Sequence, residues 1–259
     1  MPLPLSLAVV SCNEEANIAR CLQSAAGLVE ETIVIDSGST DCTKEIATSF
    51  GAVVRHQDWL GHSRQKAVAL SHCTQPWVLI LDCDEELSPE LRREIEAFFG
   101  DGSSARFHGA WFKRKVHFLG RWITHGDWYP DRKLRLVRRS EARMSGNESH
   151  DVVEVDGPTL RMKADLHHYS FPSINRYIEK INPFADAFLE RQRTAGKRWA
   201  LLPTLARPCW RFLRAYILRR GFLDGFPGLW IAASTAYFTF VRYSRKFEDE
   251  AREIAKGEQ

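Results

Sequence analysis

Over residues 1–104 the hydrophobic positions come in short runs, each followed by a helical pattern. Residues 5–10 form an apolar run, and Asn13 is placed to cap a helix over 14–26 with two acids in its first turn. Residues 32–35 predict a second strand, with Asp41 capping a helix over 42–50. A third strand over 52–55 precedes a helix near 63–71, and residues 77–81 form a fourth strand. Ser88 and Pro89 mark another helix start, the serine as cap and the proline in the first turn. Strands alternating with helices of this length predict an α/β fold of parallel β-α-β units, with helices on both sheet faces. From 105 to 166 the pattern changes. Short β-type segments at 110–116, 134–137 and 152–155 alternate with Gly, Asp and Asn. They predict an antiparallel extension of the sheet with long functional loops. After His168 the pattern is helical, over 174–195, 210–220 and 229–243, and a charged tail over 246–259 follows.

Two of the apolar runs end in acid. The fourth reads Leu79-Ile80-Leu81-Asp82-Cys83-Asp84-Glu85-Glu86, a buried strand whose carboxyl end emerges at the sheet edge. In open α/β sheets that edge is where ligands bind. Two carboxylates one residue apart there can hold a hard divalent cation, and Mg²⁺ or Mn²⁺ on such sites usually holds substrate phosphates too. The same acids also suit the N-terminus of the helix after Ser88, and a lone D-x-D arises often by chance. The second strand ends Ile35-Asp36-Ser37-Gly38-Ser39-Thr40-Asp41, so Asp36 projects from the same edge, and Ser37-Gly38-Ser39 offers hydroxyls and N–H groups in a tight turn. No G-x-G-x-x-G or Walker A sequence is present, which disfavours a dinucleotide fold and a P-loop. Phosphatases of the haloacid-dehalogenase type also use an apolar run into Asp-x-Asp, but on the first strand and followed by Gly and Thr. Here three β-α units precede it and Glu85-Glu86 follow.

A chain of 259 residues has room for one large α/β domain with a helical appendage. The net charge of +3 is too small to argue for nucleic acid. Its distribution says more: from Arg191 to Arg220 nine residues are Lys or Arg and none is acidic. Arg207, Trp210, Arg211, Phe212, Arg214, Tyr216, Arg219, Arg220 and Phe222 interleave bases with large apolar groups, which suits the surface of an anionic membrane. A helix packed on the core with snorkelling arginines is the competing reading, and a nucleic-acid surface has no accompanying motif. Residues 225–241 are apolar but short of the about twenty needed to span, with Pro227 and Gly228 early. They predict a buried or interfacial helix. The N-terminus shows no basic n-region or cleavage pattern, so no signal peptide is expected. The six cysteines lack C-x-x-C spacing and read as reduced thiols of a cytosolic protein.

Ser11-Cys12-Asn13-Glu14-Glu15 after strand one, Val34-Ile35-Asp36-Ser37-Gly38-Ser39-Thr40-Asp41 after strand two, and Trp77-Val78-Leu79-Ile80-Leu81-Asp82-Cys83-Asp84-Glu85 resemble the family-2 glycosyltransferases. These are inverting GT-A enzymes that use nucleotide sugars. The second half is similar to a narrower branch, the lipopolysaccharide core β-glucosyltransferases, through Trp128-Tyr129-Pro130-Asp131-Arg132-Lys133-Leu134-Arg135-Leu136, His150-Asp151, His168-Tyr169-Ser170-Phe171 and Arg220-Gly221-Phe222-Leu223-Asp224-Gly225. The resemblance implies a GT-A catalytic domain over 1–170, with a nucleotide-sugar half over 1–104 and an acceptor and catalytic half over 105–170. Residues 171–259 follow as a helical, membrane-surface segment.

The resemblance also implies roles. Asp36 would bind the uracil or ribose edge, with Ser11, Asn13, Glu14 and Ser37 lining the pocket. Asp82 would sit near ribose and metal, and Asp84 would ligate Mg²⁺ or Mn²⁺. Arg64 and Lys66 would contact the diphosphate. Where relatives carry Gln-Lys-Asn this chain has Gln65-Lys66-Ala67. An inverting transfer needs a carboxylate base. In the branch it is the Glu of a His-Glu pair, which here reads His150-Asp151, with Glu148 as the second candidate. His168 is a candidate distal metal ligand, while Trp128, Tyr129 and Arg135 are candidates for the acceptor site. The expected reaction moves glucose from UDP-glucose to a lipid-linked inner-core acceptor at the cytoplasmic face of the inner membrane, without nucleic acid. A non-catalytic membrane scaffold on the same fold is the alternative that Asp151 and Ala67 motivate.

Overall fold

The computed structural model describes residues 1–147, 150–171, 173–179 and 181–257. The chain divides into two compact units: Met1–Lys115 with Asp131–Tyr169, and Val116–Pro130 with Ser170–Gln259. Residues 116–130 thus belong to the second unit, and the chain enters that unit again at Ser170.

The first unit opens with β1 (Leu3–Ser11), α1 (Ile18–Ala25), β2 (Val29–Asp36), α2 (Thr43–Ser49), β3 (Val53–His56), α3 (His62–His72) and β4 (Trp77–Asp82). β1 pairs in parallel with β2 and β4, and β2 with β3. Leu5, Leu7 and Val9 of β1 face one core with Ile18, Cys21 and Leu22 of α1. Ala8 faces the other, with Ile33, Ile35, Ile80, Ala69 of α3 and Cys73 just after it. With both faces covered, these strands carry unbroken apolar runs, and each fully buried Leu or Ile contributes about 1.5–3 kcal/mol.

After β4 come β5 (Glu85–Leu87), α4 (Pro89–Gly100) and the single turn α5 (Ser103–Arg106). Ser88 Oγ accepts from the Leu91 N–H at 3.1 Å, with Pro89 in the first turn, as the sequence predicts. Then follow β6 (Gly109–Phe118), β7 (Arg121–Trp122), β8 (Asp131–Arg138), β9 (Ala142–Asn147), β10 (His150–Val155) and β11 (Thr159–His168). The main sheet runs β3-β2-β1-β4-β8-β6-β11-β5, with β7 on β6, while β9 and β10 form a separate pair. β8 is antiparallel to β4 and β6, and β11 to β5. The expected α/β class, a parallel half extended by antiparallel strands, is the one observed.

One element is displaced. The helix expected from residue 14 begins at Ile18, because Asn13 takes a left-handed φ of 54°. Its Oδ1 accepts from the Thr40 N–H at 2.8 Å and its N–H donates to Ser39 Oγ at 2.9 Å. Asn13 therefore ties the β1–α1 turn to the β2–α2 turn. Asp41 acts as expected, accepting from the Thr43 N–H at 3.1 Å at the start of α2.

In the second unit α6 (Ile174–Glu179), α7 (Ile181–Thr194), α8 (Leu201–Leu213) and α9 (Gly225–Gly257) are joined by a π-helical turn, Arg214–Leu218, and a 3-10 turn, Gly221–Asp224. α8 starts well before the predicted residue 210. Pro203 lies in its first turn, where no N–H is needed. A Cβ on Gly221 would lie 2.7 Å from the Ala215 carbonyl, so only glycine lets the chain fold back there. Val116, Phe118, Ile123 and Ile231 form this unit's core, with Trp128, Phe171 and Trp230 against it. Asp224, 1% exposed, accepts from the N–H groups of Thr124 and His125 at 3.0 and 2.8 Å. α9 continues through the charged tail. Among the described residues no helix is long and apolar enough to cross a membrane.

Candidate active site

The parallel register sets Ser11 beside Asp36 and Val10 beside Asp82, so the acidic ends of β2 and β4 share one sheet edge. Asp36 is turned inward. Its carboxylate accepts from Ser11 Oγ (2.8 Å), Ser39 Oγ (2.5 Å) and the N–H groups of Gly38 (3.0 Å) and Ser39 (2.8 Å), and it is 1% exposed. Burial alone would raise its pKa, but these donors hold it below the usual carboxylate range. Asp36 thus builds the Ser37-Gly38-Ser39 turn at the sheet edge. Ser37 on that turn accepts from Gln65 Nε2 at 2.9 Å, and Glu14 donates its N–H to Thr43.

Asp82 sits in a dense charge network. Lys66 Nζ lies 2.5 Å from one oxygen and Arg135 Nη2 lies 2.5 Å from the other. Burial opposes ionisation of Asp82, yet Arg135 and Lys66 override it and hold the carboxyl well below its ordinary value. Arg135 also reaches Glu85 at 2.6 Å, and Arg114 bridges Glu85 at 3.3 Å to Asp131, where its Nε donates at 2.9 Å. Glu85 is fully buried, and its second oxygen accepts the Asp82 N–H at 3.0 Å. It therefore closes the Asp82–Glu85 turn from inside.

Asp84 points elsewhere. The antiparallel pairing of β11 with β5 places His168 opposite Glu85, and its Nε2 lies 3.3 Å from Asp84. Burial pushes the Asp84 carboxyl up, but the hydrogen bond and charge of His168 bring it below its ordinary value. The Tyr169 N–H donates to the Asp84 carbonyl at 2.9 Å, its hydroxyl donates to Glu86 at 2.7 Å, and the Arg20 guanidinium lies 3.7 Å from its ring centre.

Residues 6–155 match the family model described as glycosyl transferase family 2. The chain belongs to glycosyl transferase family 2. An uncharacterized glycosyltransferase of Rickettsia typhi is 32% identical over 250 residues, covering 93% of this chain and 85% of its own. The lipopolysaccharide core biosynthesis glycosyltransferase LpsC of Rhizobium meliloti is 28% identical, covering 96% and 94%. The S. aureus TarS 1-349 structure in complex with UDP-GlcNAc aligns over 68% of this chain and 61% of that one, at 16% identity and a TM-score of 0.45.

In this glycosyltransferase the first unit gathers Ser11, Asn13, Glu14, Asp36, Ser37, Lys66, Asp82, Asp84 and His168. Arg64 lies exposed on α3. Two of the candidates are buried in the charge network. Arg135, read as an acceptor residue, is 2% exposed and serves as the counter-ion of Asp82 and Glu85. Lys66, read as a diphosphate contact, is likewise 2% exposed against Asp82. Trp128 and Tyr129 belong to the second unit, where Trp128 stacks with Phe118 at 5.4 Å and Phe171 at 5.3 Å. Asp151 lies on β10 opposite Gly146, and Glu148 falls outside the described residues. Glu85 and Arg114 went unread. Only the acid directly after Asp-x-Asp hinted at Glu85.

Among the described residues no three His, Cys, Asp or Glu side chains converge as a metal cage. Asp84 and His168 do converge at 3.3 Å and would hold a divalent cation, which would supply positive charge to substrate phosphates. His168 Nδ1 is buried without a hydrogen-bond partner, so the fold commits this ring through Nε2 alone. The pair fits a divalent ion. Both Asp82 oxygens pair with cations, one with Lys66 and the other with Arg135.

Proposed function

We propose that this glycosyltransferase moves a hexose, glucose from UDP-glucose, onto the inner core of a lipid-A-linked oligosaccharide, with inversion to a β-linkage. The observation that carries the reading is the gathering of Asp36, Asp82 and Asp84 at one edge of the parallel sheet, with His168 beside Asp84. The acceptor class draws support from LpsC, a relative aligned over nearly the whole of both chains. A lipid-linked acceptor places the enzyme peripherally on the cytoplasmic face of the inner membrane.

Ser11, Asn13, Glu14 and Ser37 line the nucleotide pocket in this reading, and Arg64 approaches the diphosphate from α3. A divalent cation on Asp84 and His168 would supply positive charge against the leaving nucleoside diphosphate. One carboxylate and one imidazole suit Mn²⁺ better than Mg²⁺. Lys66 and Arg135 keep Asp82 ionised whatever the ion. Asp151, ahead of Glu148, takes the acceptor hydroxyl's proton as that oxygen attacks the anomeric carbon, while the sugar–phosphate bond breaks on the opposite face.

Single-turnover transfer from radiolabelled nucleotide sugars to extracted core acceptor tests the reading, with UDP-glucose expected to label the acceptor most. Binding without transfer across all donors would favour the scaffold alternative. For the cation, Asp84→Ala is expected to abolish metal-dependent UDP binding in calorimetry with the melting temperature little changed. A normal metal response with a large loss of thermal stability would make Asp84 a structural acid.

A further inference from the structure

The second unit carries its apolar side chains on the outside of α8. Successive helical residues advance by about 100°, which puts Leu201, Leu202, Leu205, Cys209 and Leu213 in one sector roughly 120° wide. Leu202 is 77% exposed, Leu205 53% and Trp210, about 60° beyond the sector on its Leu213 side, 53%. Thr204, on another side of the helix, is 4% exposed. A surface helix normally does the reverse, burying its apolar stripe. The pattern continues beyond α8 with Ile217, Leu218, Phe222 and Phe226, all exposed.

Arg207 and Arg211 lie across α8 from this sector and approach α9. The Arg207 guanidinium donates to the Tyr243 hydroxyl and lies 5.2 Å from that ring's centre. Arg242 lies 5.9 Å from the same ring and 4.9 Å from Phe188. Its Nε is buried without a hydrogen-bond partner. Burial and then the charges of Arg211, Arg191 and Arg207 lower the Arg242 pKa, opposed only by Tyr243. Among the described residues Arg211 pairs with Asp127 at 3.6 Å, a carboxylate that Arg214 and Arg219 share. Cations gathered this way favour an anion supplied from outside.

We infer that the outward face of α8 docks on an anionic lipid bilayer, with a lipid phosphate seated between Arg207 and Arg242. The inference deepens the membrane-surface part of the proposed function. An interfacial helix sinks its apolar face about 5–10 Å into the headgroup boundary, and a helix diameter of about 10 Å then lifts its opposite flank to the phosphates. Charge selects lipid over a second copy of the chain. A two-fold partner would bring the same acid-free 191–220 stretch against itself.

Co-sedimentation of the full-length protein with phosphatidylcholine vesicles, with and without phosphatidylglycerol, tests the surface. Binding is expected on the anionic vesicles alone, weakening with salt and insensitive to added inorganic phosphate at the same ionic strength. Arg207→Gln and Arg242→Gln are each expected to cost about fivefold in partitioning. Trp210→Asp is expected to cost more than tenfold, with Leu202→Asp as the second variant should the first misfold by circular dichroism. Equal binding to both vesicle types, or none, overturns the inference. So does a wild-type dimer in light scattering that Trp210→Asp dissociates while vesicle binding stays unchanged. Vesicle binding without any sugar transfer removes the proposed reaction and leaves the surface standing. Transfer to a delipidated core acceptor by a protein that ignores vesicles does the opposite.

Discussion

Asp151→Asn is expected to lower turnover roughly 10²–10⁴-fold, the range for losing a general base, while donor affinity stays unchanged. The donor pocket proposed above is built from the β1, β2 and β4 ends, whereas Asp151 belongs to the separate β9–β10 pair. Initial rates at saturating donor, set beside calorimetric binding of UDP, separate the two quantities. Asp151→Glu is expected to retain activity, because Glu is usual at this place in the branch the chain resembles. Glu148→Gln is the control, with the smaller effect. If Glu148→Gln stops transfer and Asp151→Asn is nearly silent, the base is Glu148.

Glu85→Ala is expected to cost about 3–5 kcal/mol of folding stability in urea unfolding, since it leaves buried arginine charge short of a partner. Arg135 and Arg114 both reach the Glu85 carboxylate, and no solvent replaces it because the residue is fully buried. The substitution also removes the acceptor of the Asp82 N–H, so the turn that carries Asp84 loosens. UDP binding should weaken along with stability. The double variant Glu85→Leu/Arg135→Met is expected to recover part of the loss, because an apolar pair leaves less unpaired charge. A loss under about 1 kcal/mol for Glu85→Ala would mean that water reaches the network and that Glu85 does not hold the turn.

The parallel half of the fold was legible because its signals are local. An apolar run ending in Asp, a Ser-Pro helix start and an Asp two residues before Thr43 each lie within a few positions of the structure they specify. Family membership was legible for the same reason, since its motifs are continuous segments after β1, β2 and β4. Asn13 was misread as a cap because its partners, Ser39 and Thr40, come from another turn. Trp128 and Tyr129 sat by pattern in the catalytic half, yet the chain leaves the first unit at Val116 and returns at Asp131.

The sequence by itself determined which acids reach the sheet edge, since period-two burial and strand direction depend only on neighbouring residues. Tertiary structure decided what those acids do there. Asp82 became a counter-ion because the β4–β8 pairing brings Arg135 within 2.5 Å of it, and α3 brings Lys66 equally close. Asp84 was left to His168 by the β5–β11 register. Partners so far apart in sequence leave no local periodicity. A carboxylate's role follows from which cation the packing places against it, and that choice is made only when the strands pair.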